Sequence, residues 1–243
     1  MELLNQIAAY RPCCEQEARD KAVILDFIVK TPDAFLRTNL IAHMTASAWV
    51  VDREREHVLM VYHNIYDSWS WTGGHADGER DLLSVAVREV REETGVQHVR
   101  PVTEDIFSLE VLTVDGHEKR GEYVPSHLHL NVTYLLEADR RDTLHICAEE
   151  NSGVRWFTPE EALGASSEPW FVERIYKKLN ARLADYTKEA TNARSSCPRR
   201  GAHADTRGVR ALHNAKAAHA DLTARHCSGG RNVARECALL LQG

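Results

Sequence analysis

Long apolar runs are missing from this chain. No stretch approaches the ~20 residues that span a bilayer, and no basic-then-apolar segment opens it. The expectation is a cytoplasmic protein with no membrane partner. Paired cysteines are missing too: Cys13, Cys14, Cys147, Cys197, Cys227 and Cys237 show no spacing of a zinc site or redox motif, and are read as reduced and structural or incidental. Residues 188–243 contain no Phe, Trp, Tyr, Ile or Met. Such a segment buries too little apolar area to offset the entropy of ordering it, so 187–243 is expected to be a low-order tail. Basic residues are scarce everywhere else. Residues 1–187 hold 20 Lys/Arg against 32 Asp/Glu, a net −12, whereas 188–243 hold ten against four, a net +6. An acidic body excludes generic nucleic-acid adhesion by the main domain and leaves RNA docking to the tail as the alternative.

The segments that remain alternate in texture. Residues 1–41 read as a helical extension. EQEARDKAVILDFIVK carries Ala18, Ala22, Leu25, Ile28 and Val29 as an apolar stripe, and Thr31-Pro32 should end it, because a residue before proline resists helical dihedrals. A second short helix could start near Pro32. Beyond residue 42, Ala46–Val51 and His57–Tyr62 read as a hairpin around DRERE. Residues 105–114 and 122–137 read as longer strands around the turn DGHEKRG, and Gly153–Phe157 as another. Thr158 and Glu161 form a capping box with Pro159 in the first turn, and a last helix is expected over Pro169–Tyr186.

The most informative stretch is GGHADGERDLLSVAVREVREETGV, residues 73–96. A helix over about 81–94 places Glu89, Glu92 and Glu93 at i, i+3 and i+4, within an arc of about 100°. Leu83, Ala86, Val87, Val90 and Thr94 make the adjacent, mostly apolar arc. Like charges at this spacing repel, and a helix that packs beside three crowded carboxylates needs a counter-ion. A divalent cation preferring oxygen fits, and Mg²⁺ favours sites of a few carboxylates plus substrate phosphates.

These residues resemble the box of the Nudix hydrolase family, G-x5-E-x7-R-E-U-x-E-E-x-G-U, with U aliphatic. Gly74, Arg88, Glu89, Val90, Glu92, Glu93, Gly95 and Val96 stand at the required spacings. One element departs: Arg80 occupies the place of the first Glu, and Glu79 lies one residue early. The resemblance covers about residues 42–186 and implies an α/β fold, a Nudix-type α/β/α sandwich with a mixed sheet. It also implies a Mg²⁺-dependent hydrolase, with Mn²⁺ able to substitute, that cleaves the pyrophosphate bond of a nucleoside diphosphate linked to another moiety. On this resemblance Glu89, Glu92, Glu93 and the Gly74 carbonyl hold metal, Glu92, Glu93 and Arg88 carry catalysis, and Arg88 organises the carboxylates. Family members often dimerise, so a homodimer is compatible with it.

Further residues form a second tier. Glu149 and Glu150 precede the WF strand, in a loop that some Nudix enzymes use for a catalytic or metal-binding glutamate; a solvated acidic loop is the alternative. Period two puts His127, His129, Asn131 and Thr133 on one sheet face and Leu128, Leu130, Val132 and Tyr134 on the other. That polar face could line a substrate cleft, face water, or be a set of satisfied buried groups. His75, beside Gly74, is a third histidine for substrate binding. Trp69 and Trp71 share a strand face, for base stacking or for core packing.

Two other functions compete. The segment WTGGH (71–75) resembles that of isopentenyl diphosphate isomerase, but Gly73 and Gly74 stand where that enzyme needs a cysteine acid. A non-catalytic Nudix module that senses a nucleotide is the other, although such modules usually carry a degraded box and this one keeps all three metal carboxylates.

Overall fold

The computed structural model describes residues 3–119 and 121–195. The N-terminal region folds as α1 (Leu3–Ala9) and α2 (Glu15–Lys30), and α2 stops where Thr31 turns extended before Pro32. The short helix expected near Pro32 is absent. Residues 32–35 form turns instead, and Ala34 accepts the N–H of Met44 at 2.7 Å, so this backbone is spent on pairing with the first strand.

The centre is a mixed sheet. β1 (Ala42–Val51) and β2 (Val58–His63) form the expected hairpin. β3 (Ser68–Ser70) returns along β2, and β4 (Thr72–His75) along β1. After α3 (Leu82–Thr94) come β5 (Val99–Pro101), β6 (Ser108–Val114) and the long β9 (His127–Ala138). β9 runs parallel to β1, with His43 level with His129 and Thr45 level with Asn131. β6 and β9 pair as expected, but the intervening DGHEKRG is not a simple turn: β7 (His117–Lys119) and β8 (Glu122–Val124) make a small ribbon of their own. β10 (Asn151–Phe157) closes the far edge on β2.

Helices cover both faces. Ala42, Met44, Ala46, Ala48 and Val50 pack with Leu130, Val132 and Tyr134 against the box helix α3. The opposite face sets Trp49, Val51, Trp71 and Leu135 against the C-terminal helix. That helix follows α4 (Pro159–Ala165), whose Thr158–Glu161 capping box is complete. It begins at α5 (Pro169–Phe171), passes through a π turn (Val172–Tyr176) and continues as α6 (Lys177–Ser195), past its expected end at Tyr186. The rest of the expected tail lies outside the described residues. Among the described residues, no helix is long and apolar enough to cross a membrane.

Candidate functional site

The site is built around α3. Asp81 caps the helix, accepting from the Ser84 N–H at 3.2 Å. Glu79 bonds the chain just ahead of the first turn: its Oε1 accepts from the N–H groups of Arg80 and Asp81 at 2.7 and 2.9 Å. Arg80 lies over the Phe35 ring, 4.6 Å from its centroid. Gly95 ends the helix at φ 77°, a left-handed conformation glycine adopts without strain. The buried residues of α3 are Leu82, Val85, Ala86, Val90, Glu93 and Thr94: Ala86, Val90 and Thr94 of the expected arc are buried, whereas Leu83 and Val87 are only partly covered and Leu82 and Val85 take the inner places. This face packs with Ala46 and Ala48 of β1 in one buried cluster.

Glu93 is the one carboxylate among these buried residues. Only 4% of it is exposed, and its Oε1 accepts the Gly73 N–H at 2.9 Å. Burial, together with the charges of Glu89, Glu150 and Glu92, holds its carboxyl well above the usual carboxylate range. Glu89 is half-buried and its carboxyl is also raised, first by burial and then by Glu92 and Glu150, against the pull of Arg88. Arg88 grips Glu89 at 2.9 Å. The Glu89 carboxylate lies against Gly74, in the space a Cβ there would take, so a side chain at 74 would push the carboxylate aside. Glu92 is exposed.

The later loop docks on the same helix. Asn151, fully buried, donates from Nδ2 to the Glu93 carbonyl at 2.9 Å and accepts the Cys147 N–H at 3.2 Å. The His145 N–H bonds the Thr94 carbonyl at 2.8 Å. These bonds bring Glu150 within electrostatic reach of Glu89 and Glu93; Glu149 is exposed in the same loop. Arg37, from the α2–β1 segment, donates Nε–H to Asp77 at 2.6 Å and feels the charges of Glu89 and Glu150. Sequence reasoning missed both Asn151 and Arg37. Neither sits in a motif, and both act across a long separation in the chain.

The three box carboxylates are not drawn into a tight cluster. Among the described residues, the groups of three or more potential ligands within 4.8 Å are His43, His75, His127 and His129, and Cys13, Cys14 and Glu17. The expected alternation in β9 holds: His129, Asn131 and Thr133 face one side, while Leu130, Val132 and Tyr134 join the core on the other. His75, level with Thr45 on β4, joins His127 and His129 there, and His43 of β1 completes the group. Burial and the neighbouring imidazoles push His129 down to about 2, and burial also lowers His43. Trp69 and Trp71 pack in the core, edge-on to Phe157 and Tyr176 respectively.

An oxygen-rich, anionic centre at the end of a strand–loop–helix unit, beneath a second loop, defines a class. A model of the NUDIX domain matches residues 42–179, and the chain belongs to the Nudix family of pyrophosphohydrolases, which act on phosphorus-containing anhydrides. Solved structures similar to it include a C. elegans Ap4A hydrolase binary complex, at 19% identity over 58% of this chain and 98% of that one, with a TM-score of 0.44. A NUDIX-family hydrolase from Clostridium perfringens matches at 17% identity over 57% and 97%, TM-score 0.41. A UDP-X diphosphatase matches at 15% over 70% and 72%, TM-score 0.42. No curated protein matches the chain.

Proposed function

We propose that the protein hydrolyses the pyrophosphate bond of a nucleoside diphosphate linked to another moiety, in a cytoplasmic setting, with Mg²⁺ or Mn²⁺ as cofactor. The observation that carries this reading is Glu93: a buried carboxylate, crowded by Glu89, Glu92 and Glu150, with no cationic side chain paired to it among the described residues. A charge buried in that way is costly unless a counter-charge reaches it. The donors are oxygens, which suits a hard divalent ion.

Glu89, Glu92, Glu93 and the Gly74 carbonyl would hold the ion. When bound it supplies charge neutralisation at the phosphate oxygens and lowers the pKa of water. The chain's own residues do the positioning. Arg88 fixes Glu89, the Gly73 N–H fixes Glu93, and Asn151 fixes the loop that bears Glu149 and Glu150. Glu92 is open to solvent and suited to orient a water and take its proton. Arg37, at the edge of the site, is placed to meet a phosphate.

The test is a Mg²⁺-supplemented screen over nucleotide sugars, dinucleoside polyphosphates and nucleoside triphosphates, run in ¹⁸O-water. Release of a nucleoside monophosphate with ¹⁸O in one product phosphate is expected. No turnover of any compound with either ion would contradict the reading.

A further inference from the structure

We propose that His43, His75, His127 and His129 form a site for a divalent transition-metal ion of the zinc type, separate from the carboxylate centre on α3. The two sites sit on opposite faces of the sheet. Gly74 turns toward Glu89, while His75 beside it joins the histidine group. In a strand, successive residues point to opposite faces.

The group is compact. Five of its six ring pairs have centroids between 4.9 and 5.1 Å apart, and one ligand nitrogen from each residue lies within 4.8 Å of the others. His127 Nε2 and His129 Nε2 are 3.1 Å apart. Zinc–imidazole bonds of about 2.0–2.1 Å in a tetrahedron put neighbouring nitrogens about 3.3 Å apart. One edge of the polyhedron is therefore already close to its bound length.

The rings are also held for metal. His43 Nδ1 meets the Asn39 carbonyl at 3.0 Å, and His127 Nδ1 meets the Pro125 carbonyl at 2.8 Å. A carbonyl accepts only from N–H, so each Nδ1 carries the proton and each Nε2 offers a lone pair. This backbone-anchored tautomer is the usual support of a histidine ligand. His43 supplies the independent sign. It is 3% exposed, and its Nε2 has no hydrogen-bond partner. Buried polar atoms are satisfied in the great majority of cases. One row along the same face, Asn131 is fully buried, and its amide bonds Thr45, Ser47, Glu110 and Thr133. The orphan atom belongs to a ring whose centroid lies 4.9–5.1 Å from those of the other three histidines.

Imidazole donors select Zn²⁺, Co²⁺, Ni²⁺ or Cu²⁺ over Mg²⁺. Four protein ligands leave no open position, so the site is structural in type, tying β1, β4 and β9 together.

The test uses the full chain, with any polyhistidine tag removed, stripped of metal and titrated with Co²⁺ in excess Mg²⁺. One equivalent of Co²⁺ should give intense visible tetrahedral absorption, displaced by Zn²⁺, and Zn²⁺ should raise the melting temperature. Glu89→Gln and Glu93→Gln should keep the signal. His127→Gln and His129→Gln should each weaken binding at least about tenfold, the scale on which even supporting residues act. The wild-type titration is decisive by itself if a histidine variant fails to fold. The proposal is overturned by absence of the absorption in wild type, by its persistence in both histidine variants, or by its loss with the carboxylates. Hydrolytic activity enters none of these readouts, so the two proposals stand or fall separately.

Discussion

Two regions of this molecule bury carboxylates, and they do so in opposite ways. Beneath α2 and α6, Glu17 and Glu110 are fully buried, and Lys178 bridges them at 3.2 and 2.9 Å. Arg182 adds a contact to Glu17 at 3.3 Å, Ser108 donates to it at 2.8 Å, and Asn131 and Thr133 donate to Glu110. Burial alone would raise the Glu17 carboxyl, but Lys178, the Cys13 N–H and Ser108 outweigh it, and the group lies below its ordinary range. On α3, burial raises Glu93 and Glu89, and among the described residues Arg88 pairs with Glu89 while no side-chain cation pairs with Glu93. The first region is complete as folded and holds the N-terminal helix, the sheet and the C-terminal helix together. In the second, no side-chain cation pairs with Glu93 among the described residues. The two sets of buried acids therefore differ in what neutralises them among the described residues.

The comparison can be broken at several points. Glu93→Gln should cut turnover by about a hundredfold to ten-thousandfold while leaving the melting temperature of the metal-free protein unchanged or higher; kinetics and calorimetry check both. Near-parental turnover would remove Glu93 from the site. Lys178→Met should do the reverse. Stranding Glu17 and Glu110 should cost about 3–5 kcal/mol in urea unfolding, with turnover of the folded fraction kept. Asn151→Ala should cost about 1–3 kcal/mol and slow turnover by detaching the Glu150 loop from α3, with hydrogen exchange rising across 145–151.

The smallest effects are in pH dependence, and their signs differ. Glu17 is depressed in the folded state, so its contribution is present above its unfolded pKa and lost as pH falls through the lower folded value. Glu17→Gln should flatten the fall in urea midpoint as pH drops below the ordinary glutamate range. Glu93 is raised, so its contribution is present below its unfolded pKa and lost as pH rises through the folded value. Mg²⁺ competes with that proton. The increase in melting temperature on adding Mg²⁺ should therefore grow as pH rises above the ordinary carboxylate range, and should not grow in Glu93→Gln.

Much of the frame was legible because its signals are local. The β1–β2 hairpin, the Thr158–Glu161 cap, the end of α2 before Pro32 and the alternation along His127–Tyr134 each follow from neighbours a few residues apart. The inward face of α3 was legible only in part, since it is decided by packing against the sheet, on other elements of the chain. His43 carried a readable sign: His43, Thr45 and Ser47 alternate with Ala42, Met44 and Ala46. The expected strand began only at Ala46, however, so this polar row went unread. Arg37 and Asn151 had no comparable sign. Their roles come from contacts 40 and 58 residues away, to Asp77 and Glu93, which no spacing rule reports. The ribbon of β7 and β8 was hidden because His117–Lys119 lies in a charged, glycine-bounded stretch that reads as a turn by composition, and Glu122–Val124 reads as the start of the strand that follows.

The central claim is that the acids on α3 are a divalent-metal site, and Mn²⁺ titration followed by electron paramagnetic resonance tests it most directly. Metal-free wild-type protein, its histidine group first filled with Zn²⁺, should remove the free-ion signal saturably. His127→Gln should still do so, whereas Glu89→Gln and Glu93→Gln should not. Equal Mn²⁺ uptake by wild type and both carboxylate variants would contradict the account.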